Sequence, residues 1–210
     1  MNTISNSGRD GVSNVFAAAL WTLDGSFEVA ATGAVGVNLH QGAGQNLYTA
    51  IVRWYDNDRL APVFIRPPFY AFVLFKQAVR GNSTMLPNRV AWGEVDGIKV
   101  WPLWGEPEKE LRVVVINKRP LDAVDVILRV SKNSGYGGAT VTRLVSSLER
   151  PLESRGPEIS YGGITYGIGG VRGGSNVTEH VKRGTSEGKL AWRIYMPMGS
   201  AALVVIPRLG

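Results

Sequence analysis

The sequence predicts an α+β chain: a helix–strand–helix stretch over residues 1–85, followed by an antiparallel β-sandwich over residues 86–210. Two observations predict it. Apolar residues recur at helical spacing near the start, and from about residue 90 onward short β-rich runs follow one another at close intervals, separated by turn residues.

The first helix is expected over Val12–Ala31. Val12, Val15, Phe16, Ala19, Leu20, Leu23, Phe27 and Ala30 fall at i, i+3, i+4 and i+7 and build one apolar face, with Ser13 as N-terminal cap and Gly33 as the stop. Ala34–Leu39 reads as a short buried strand, which makes one αβ step of a parallel architecture. Such a strand needs neighbours that nothing upstream supplies, so the chain reads as beginning inside an α/β domain. Residues 40–65 read as loop. A second helix is expected from Pro67 or Pro68 to Arg80, with Phe69, Phe72, Val73 and Phe75 as its apolar surface and Gly81 closing it.

The β-rich runs are Val90–Val95, Ile98–Trp104, Leu111–Asn117, Ala123–Val130, Ala139–Ser147, Val177–Val181, Leu190–Tyr195 and Ala201–Pro207. Many short strands at this spacing indicate a sandwich. Gly156–Ser175 is Gly-rich and reads as a long irregular connection with one short strand. It is not a phosphate cradle, because no Lys-Ser/Thr follows and no strand–helix context surrounds it.

The chain has 210 residues, 44% of them hydrophobic, which is ordinary for a globular protein and excludes global disorder. The formal charge of +6 favours anionic partners, but Lys and Arg are scattered without a basic run, so no nucleic-acid binding is expected. With no cysteine, disulfides and Cys-ligated metals are excluded. No apolar stretch is long enough to span a membrane, and Met1–Asp10 lacks the apolar core of a signal peptide. Two Asn-x-Ser/Thr tripeptides occur, at Asn82 and at Asn176, and they point weakly to a secreted parent.

Gly11–Asp24, followed by Gly33–His40, resembles glycoside hydrolase family 79, the β-glucuronidase and heparanase-like enzymes, and the resemblance extends over essentially the whole chain. In that family these segments are the helix after barrel strand seven and then strand eight. Arg66–Ala71 resembles the start of the last barrel helix, and Val113–Lys118 and Ser200–Ile206 resemble strands of the C-terminal β-domain. The resemblance implies the last elements of a (β/α)8 barrel over residues 1–85, beside the sandwich. It also implies retaining hydrolysis by two glutamates, one protonating the leaving oxygen and one attacking the anomeric carbon. Asn2 matches the Asn of the family's Glu-x-Asn nucleophile sequence and Met1 matches x. The nucleophile would precede Met1, and the acid/base strand is not in the chain. No catalytic residue, metal or cofactor is therefore expected here. The parent would be extracellular and act on a glucuronide-containing glycan.

The expected substrate-binding residues are Asn2, His40, Gly44 and Tyr48. His40 follows the strand at what would be the substrate rim of a barrel. The resemblance gives a Gly and a Tyr in the next loop a contact with the uronic-acid carboxylate, a task suited to backbone N–H groups and a phenol. Glu94, Glu106, Glu108, Glu110, Asp56 and Asp58 read as solvated surface charge, and His180 as structural. Trp92, Trp101 and Trp104 are expected to fill a core or an interdomain face. A stand-alone carbohydrate-binding or interaction module, using these tryptophans as a stacking platform, is the alternative. Stripped of barrel partners, the helix Val12–Ala31 and the strand Ala34–Leu39 should expose apolar surface, with a tendency to self-associate and with less exchange protection in residues 1–80 than in 90–210.

Overall fold

The computed structural model describes residues 1–42, 46–53, 55–56, 59–89, 93, 95–130 and 135–210. In chain order its elements begin with α1 (Phe16–Ala31), β1 (Ile51–Val52), β2 (Tyr55–Asp56), β3 (Arg59–Leu60), β4 (Phe64–Ile65), α2 (Pro67–Ala78) and β5 (Ser83–Met85). Next come β6 (Ile98–Gly105), β7 (Glu110–Asn117), β8 (Val124–Val130) and β9 (Ala139–Ser146). The last are β10 (Ile159–Tyr161), β11 (Thr165–Tyr166), β12 (Arg172–Gly173), β13 (Glu179–Val181), β14 (Gly184–Ser186), β15 (Lys189–Met196) and β16 (Ser200–Pro207). Contacts divide the chain into two compact units, one of Met1–Phe75 with Leu144–Asn176, the other of Lys76–Arg143 with Val177–Gly210. The division does not follow the sequence boundary at 85/86: residues 144–176 group with the helices.

In the first unit α1 begins four residues later than the periodicity predicts. Residues 10–15 form turns, Val15 is extended, and the Phe16 N–H is satisfied by the Ser154 carbonyl at 2.7 Å. Ser13 is not the cap. It is buried, and its hydroxyl accepts from the Arg9 N–H at 3.0 Å and from the Thr3 hydroxyl at 2.7 Å. Nor is the helix apolar on one face only. Phe16, Leu20, Leu23 and Phe27 are buried, but so are Thr22, Asp24 and Ser26. Thr22 and Ser26 satisfy their hydroxyls by bonding back to the Ala18 and Thr22 carbonyls, which lets them sit inside. Gly33, at φ +82°, ends the helix as expected, its N–H returning to the Ala30 carbonyl.

The expected strand Ala34–Leu39 does not form. Residues 34–39 carry no strand pairing and stand largely in solvent, Val35 completely so. The physical reason is the one that makes a buried parallel strand demanding: it needs a partner along each edge. Among the described residues the chain start comes alongside, the Met1 ammonium donating to the Asn38 carbonyl at 2.5 Å. Helix α2 forms as predicted, but it buries Tyr70, Ala71, Leu74 and Ala78, while Phe69, Phe72, Val73 and Phe75 are only partly covered. Phe75 packs on Phe27 with ring centroids 4.8 Å apart. Phe69, Tyr70 and Tyr166 form an aromatic cluster, and the Tyr70 hydroxyl accepts from the Tyr166 N–H at 2.9 Å. The Gly-rich connection holds three short strands, not one: β10, β11 and β12. Strand β10 pairs with the end of β9, at Leu144–Ser146.

The second unit is a β-sandwich. One antiparallel sheet runs β5-β6-β7-β16-β9, with β13 on the outer edge of β9; the other runs β14-β15-β8. Alternate residues point inward from both sheets, as the two-residue period of a strand requires. Leu111, Val113, Val115, Ala202, Val204 and Ile206 meet Trp192, Ile194 and Met196, flanked by Val124, Val126, Leu128 and Val130. Each fully buried aliphatic side chain stabilises the fold by about 1.5–3 kcal/mol relative to exposure. Buried Trp192 satisfies its indole N–H on the Gly137 carbonyl at 3.1 Å. The predicted runs from Ile98 onward match observed strands to within a residue or two, and the run Val90–Val95 lies mostly outside the described residues.

Candidate functional site

Three of the four expected binding residues come together in the first unit. The Asn2 carboxamide lies along the backbone of His40, its Oδ1 accepting from the His40 N–H at 2.8 Å and its Nδ2 donating to the His40 carbonyl at 2.9 Å. The His40 Nδ1 meets the Tyr48 hydroxyl at 3.4 Å, the imidazole tautomer setting which of them donates, and the two rings lie 5.7 Å apart. Tyr48 is buried and His40 exposed, so the phenol anchors a ring that faces solvent. Gly44 lies outside the described residues.

The loop that carries Tyr48 is cross-braced by residues the sequence reading missed. The Gln41 side chain accepts from the Ala50 N–H at 2.7 Å, and the Gly42 N–H donates to the Thr49 hydroxyl at 3.1 Å. A Cβ at Gly42 would meet the end of the Asn46 side chain, which would have to swing aside. Arg66 grips both sides of Tyr48: its backbone N–H donates to the Ala50 carbonyl and its guanidinium to the Asn46 carbonyl. Burial lowers the Arg66 pKa from the ordinary arginine value. The only legible signal for Arg66 was its place before Pro67-Pro68. For Gln41, Gly42 and Thr49 there was none, since cross-loop bonds have no sequence period.

Asn2, Thr3, Thr22, Gln41, Tyr48 and Pro68 line a cleft with room for about one water molecule. A cleft of that size cannot enclose a sugar ring. This constellation presents amide, imidazole and phenol groups but no carboxylate, so by itself it can orient a polar ligand and has no group to attack or protonate a glycosidic bond.

The candidate carboxylates lie in the second unit, apart from those outside the described residues (Glu94, Asp58) and Asp56, whose side chain is likewise not described. Glu106 is surface charge as expected: it pairs with Lys109 and accepts from the Trp104 indole, and these contacts hold its carboxyl below the usual range. Glu108 is exposed, as expected of a surface charge, but Glu110 is buried. Both bond the guanidinium of Arg112, which is fully buried on β7, at 2.7 and 2.6 Å. Arg112 also donates to the Arg80 carbonyl at 2.6 Å and the Ser83 hydroxyl at 3.0 Å. Gly105 lies against the guanidinium, where a Cβ would come within 2.7 Å of it. This is a structural ion cluster: its carboxylates are committed to an internal cation and present no free pair to a substrate.

Trp101 and Trp104 are three residues apart on β6, so they point to opposite faces of the sheet and cannot form one stacking platform. Lys99 instead covers the Trp101 ring at 5.7 Å. Trp92 lies outside the described residues. His180 is exposed on β13, opposite Thr140. No described helix is long and apolar enough to cross a membrane.

No protein-family model matches the sequence. No curated protein matches it either. Solved structures do match by shape. A 4-O-α-L-rhamnosyl-β-D-glucuronidase from Fusarium oxysporum 12S superimposes with a TM-score of 0.69 at 18% identity, over 97% of this chain and 41% of that enzyme. The chain shares the fold of that part of the enzyme. The GH51 arabinofuranosidase of Xanthomonas axonopodis pv. citri matches with a TM-score of 0.61 at 14% identity, over 92% of this chain and 36% of its own. The α-L-arabinofuranosidase of Thermotoga maritima matches at 0.59 and 16% identity, over 97% and 40%. At these identities the likeness is one of fold. The chain spans about two fifths of the length of these enzymes.

Proposed function

We propose that this chain is the C-terminal part of a retaining β-glucuronidase of the family 79 type, carrying the last barrel elements, part of the glucuronide-binding rim and the β-domain. The two catalytic glutamates belong to segments outside these 210 residues, and the chain alone does not hydrolyse glycosides. The observation that carries the reading is the convergence of Asn2, His40 and Tyr48, chosen from sequence for a sugar rim and separated by up to 46 positions, in one hydrogen-bonded cluster. The one-water cleft beneath them supports a partial site that needs further walls. A parent acting on an acidic glycan agrees with the +6 charge. Likeness to a glucuronidase fold over 97% of the chain adds support.

Two measurements test the proposal. Incubated with an aryl β-glucuronide, the purified chain is expected to release no phenol above the blank, and turnover would overturn the claim of separated chemistry. The codon preceding that of Met1, in frame, is expected to encode glutamate. Any other codon there removes the family assignment.

A further inference from the structure

We propose that Asn176 is an N-glycosylation site and that Asn82, in the second tripeptide of the same type, is not. The proposal rests on the extracellular part of the reading above. Oligosaccharide transfer needs an exposed Asn-x-Ser/Thr segment that is free to bend, with the carboxamide nitrogen accessible. Gly174–Thr178 has neither helix nor strand structure, and every residue in it is exposed. Gly174, at φ +76°, turns the chain just ahead of it. The Asn176 Oδ1 accepts from Arg172 at 3.3 Å, while its Nδ2, the atom that must react, has no partner among the described residues. The Thr178 hydroxyl, which the transferring enzyme must read, is equally open.

Asn82 has an exposed side chain but a committed backbone. Its carbonyl accepts from the Glu106 N–H at 3.1 Å, and the next two residues are strand β5, Ser83 and Thr84 lying opposite Gly105 and Trp104. The Ser83 hydroxyl donates to the Arg80 carbonyl at 2.9 Å and accepts from Arg112 at 3.0 Å. Bending this segment into a transferase would pull β5 off the sheet and strip a partner from a buried guanidinium.

In the reaction the Asn176 carboxamide nitrogen attacks the anomeric carbon of a lipid-diphosphate-linked oligosaccharide. The N–C bond forms, the bond from that carbon to the diphosphate oxygen breaks, the lipid diphosphate leaves and the amide proton passes to base.

The test is expression of the full chain behind a cleavable secretion signal in a eukaryotic host, with intact mass measured before and after peptide N-glycosidase. The expected result is one N-glycan, lost on digestion, absent from Asn176→Gln and Thr178→Ala, and retained in Asn82→Gln. An unglycosylated wild-type chain, or a glycan on Asn82 alone or on both sites, overturns the proposal. The glucuronidase reading stands or falls on the aryl glucuronide and codon measurements, which the mass shift does not depend on.

Discussion

The carboxamide of Asn2 acts as a strand edge for His40. One side chain takes both hydrogen-bonding groups of a backbone unit 38 residues away, accepting from its N–H at 2.8 Å and donating to its carbonyl at 2.9 Å. Asparagine alone among residues of its size has a donor and an acceptor in this geometry. Asn2→Asp keeps the acceptor but sets a second oxygen against the His40 carbonyl, and Asn2→Leu removes both bonds. Each is expected to cost about 1 kcal/mol and to raise amide exchange at His40 at least several-fold. Unchanged exchange at His40 in both variants would show that the pairing does not hold the segment in solution.

The same relationship shows how far the sequence was legible. Strands β7 and β16 announce themselves as short continuous apolar runs, and β15 by alternation, because strands covered on both faces or on one leave those patterns in the chain. Segment 34–39 carries the same apolar signal and is not a strand, because composition records what a segment can pair with and not whether a partner is present. Helix α1 was legible as a helix but not in its burial, since Thr22 and Ser26 look polar until their back-bonds are seen. For the site, Asn2, His40 and Tyr48 were found through family resemblance. The braces Gln41, Gly42, Thr49 and Arg66 depend on contacts across a loop, which leave no pattern along the chain.

Exchange should separate these two kinds of segment. Every residue of β7 is buried and paired on both edges, so its amides should exchange through global or near-global opening. Amides of residues 34–36, without strand pairing and exposed, should exchange within the first seconds of labelling. Equal protection in the two segments, measured by hydrogen–deuterium exchange, would mean that a partner covers residues 34–36 in solution, with self-association the first explanation to check by sedimentation.

The Arg112 cluster gives the largest expected stability effect. Arg112→Met leaves the buried Glu110 carboxylate with Arg80, at 2.5 Å, as its remaining cation, so the loss should approach but not exceed the about 3–5 kcal/mol of a fully broken buried pair. Adding Glu110→Gln to Arg112→Met should recover part of that loss, because a buried charge that has lost one of its two cations is removed, so the double variant should be more stable than the single one. Gly105→Ala should destabilise by displacing the guanidinium. Urea unfolding of the set reads all three. An Arg112→Met chain as stable as the parent would show that the cluster is solvated.

Tyr70 links packing to alkaline pH. Burial pushes its phenol up to about 12, outweighing the Tyr166 N–H, which favours the phenolate. In the unfolded chain a tyrosine ionises near 10. Below pH 10 the phenol is neutral in both states, and Tyr70 contributes no pH dependence. As pH rises from about 10 to 12, the unfolded chain loses this proton while the folded one keeps it, so stability falls with pH; above that window the slope vanishes. In a spectrophotometric titration one tyrosine should therefore ionise well after the exposed ones. Tyr70→Phe should remove that late step and flatten the decline of Tm over the same window. At neutral pH the variant should still be less stable, by about 1–2 kcal/mol, because the Tyr166 N–H loses its acceptor. If all the tyrosines titrate together near pH 10 while the chain remains folded by circular dichroism, Tyr70 is in contact with solvent and the packing of α2 against Tyr166 is looser than described.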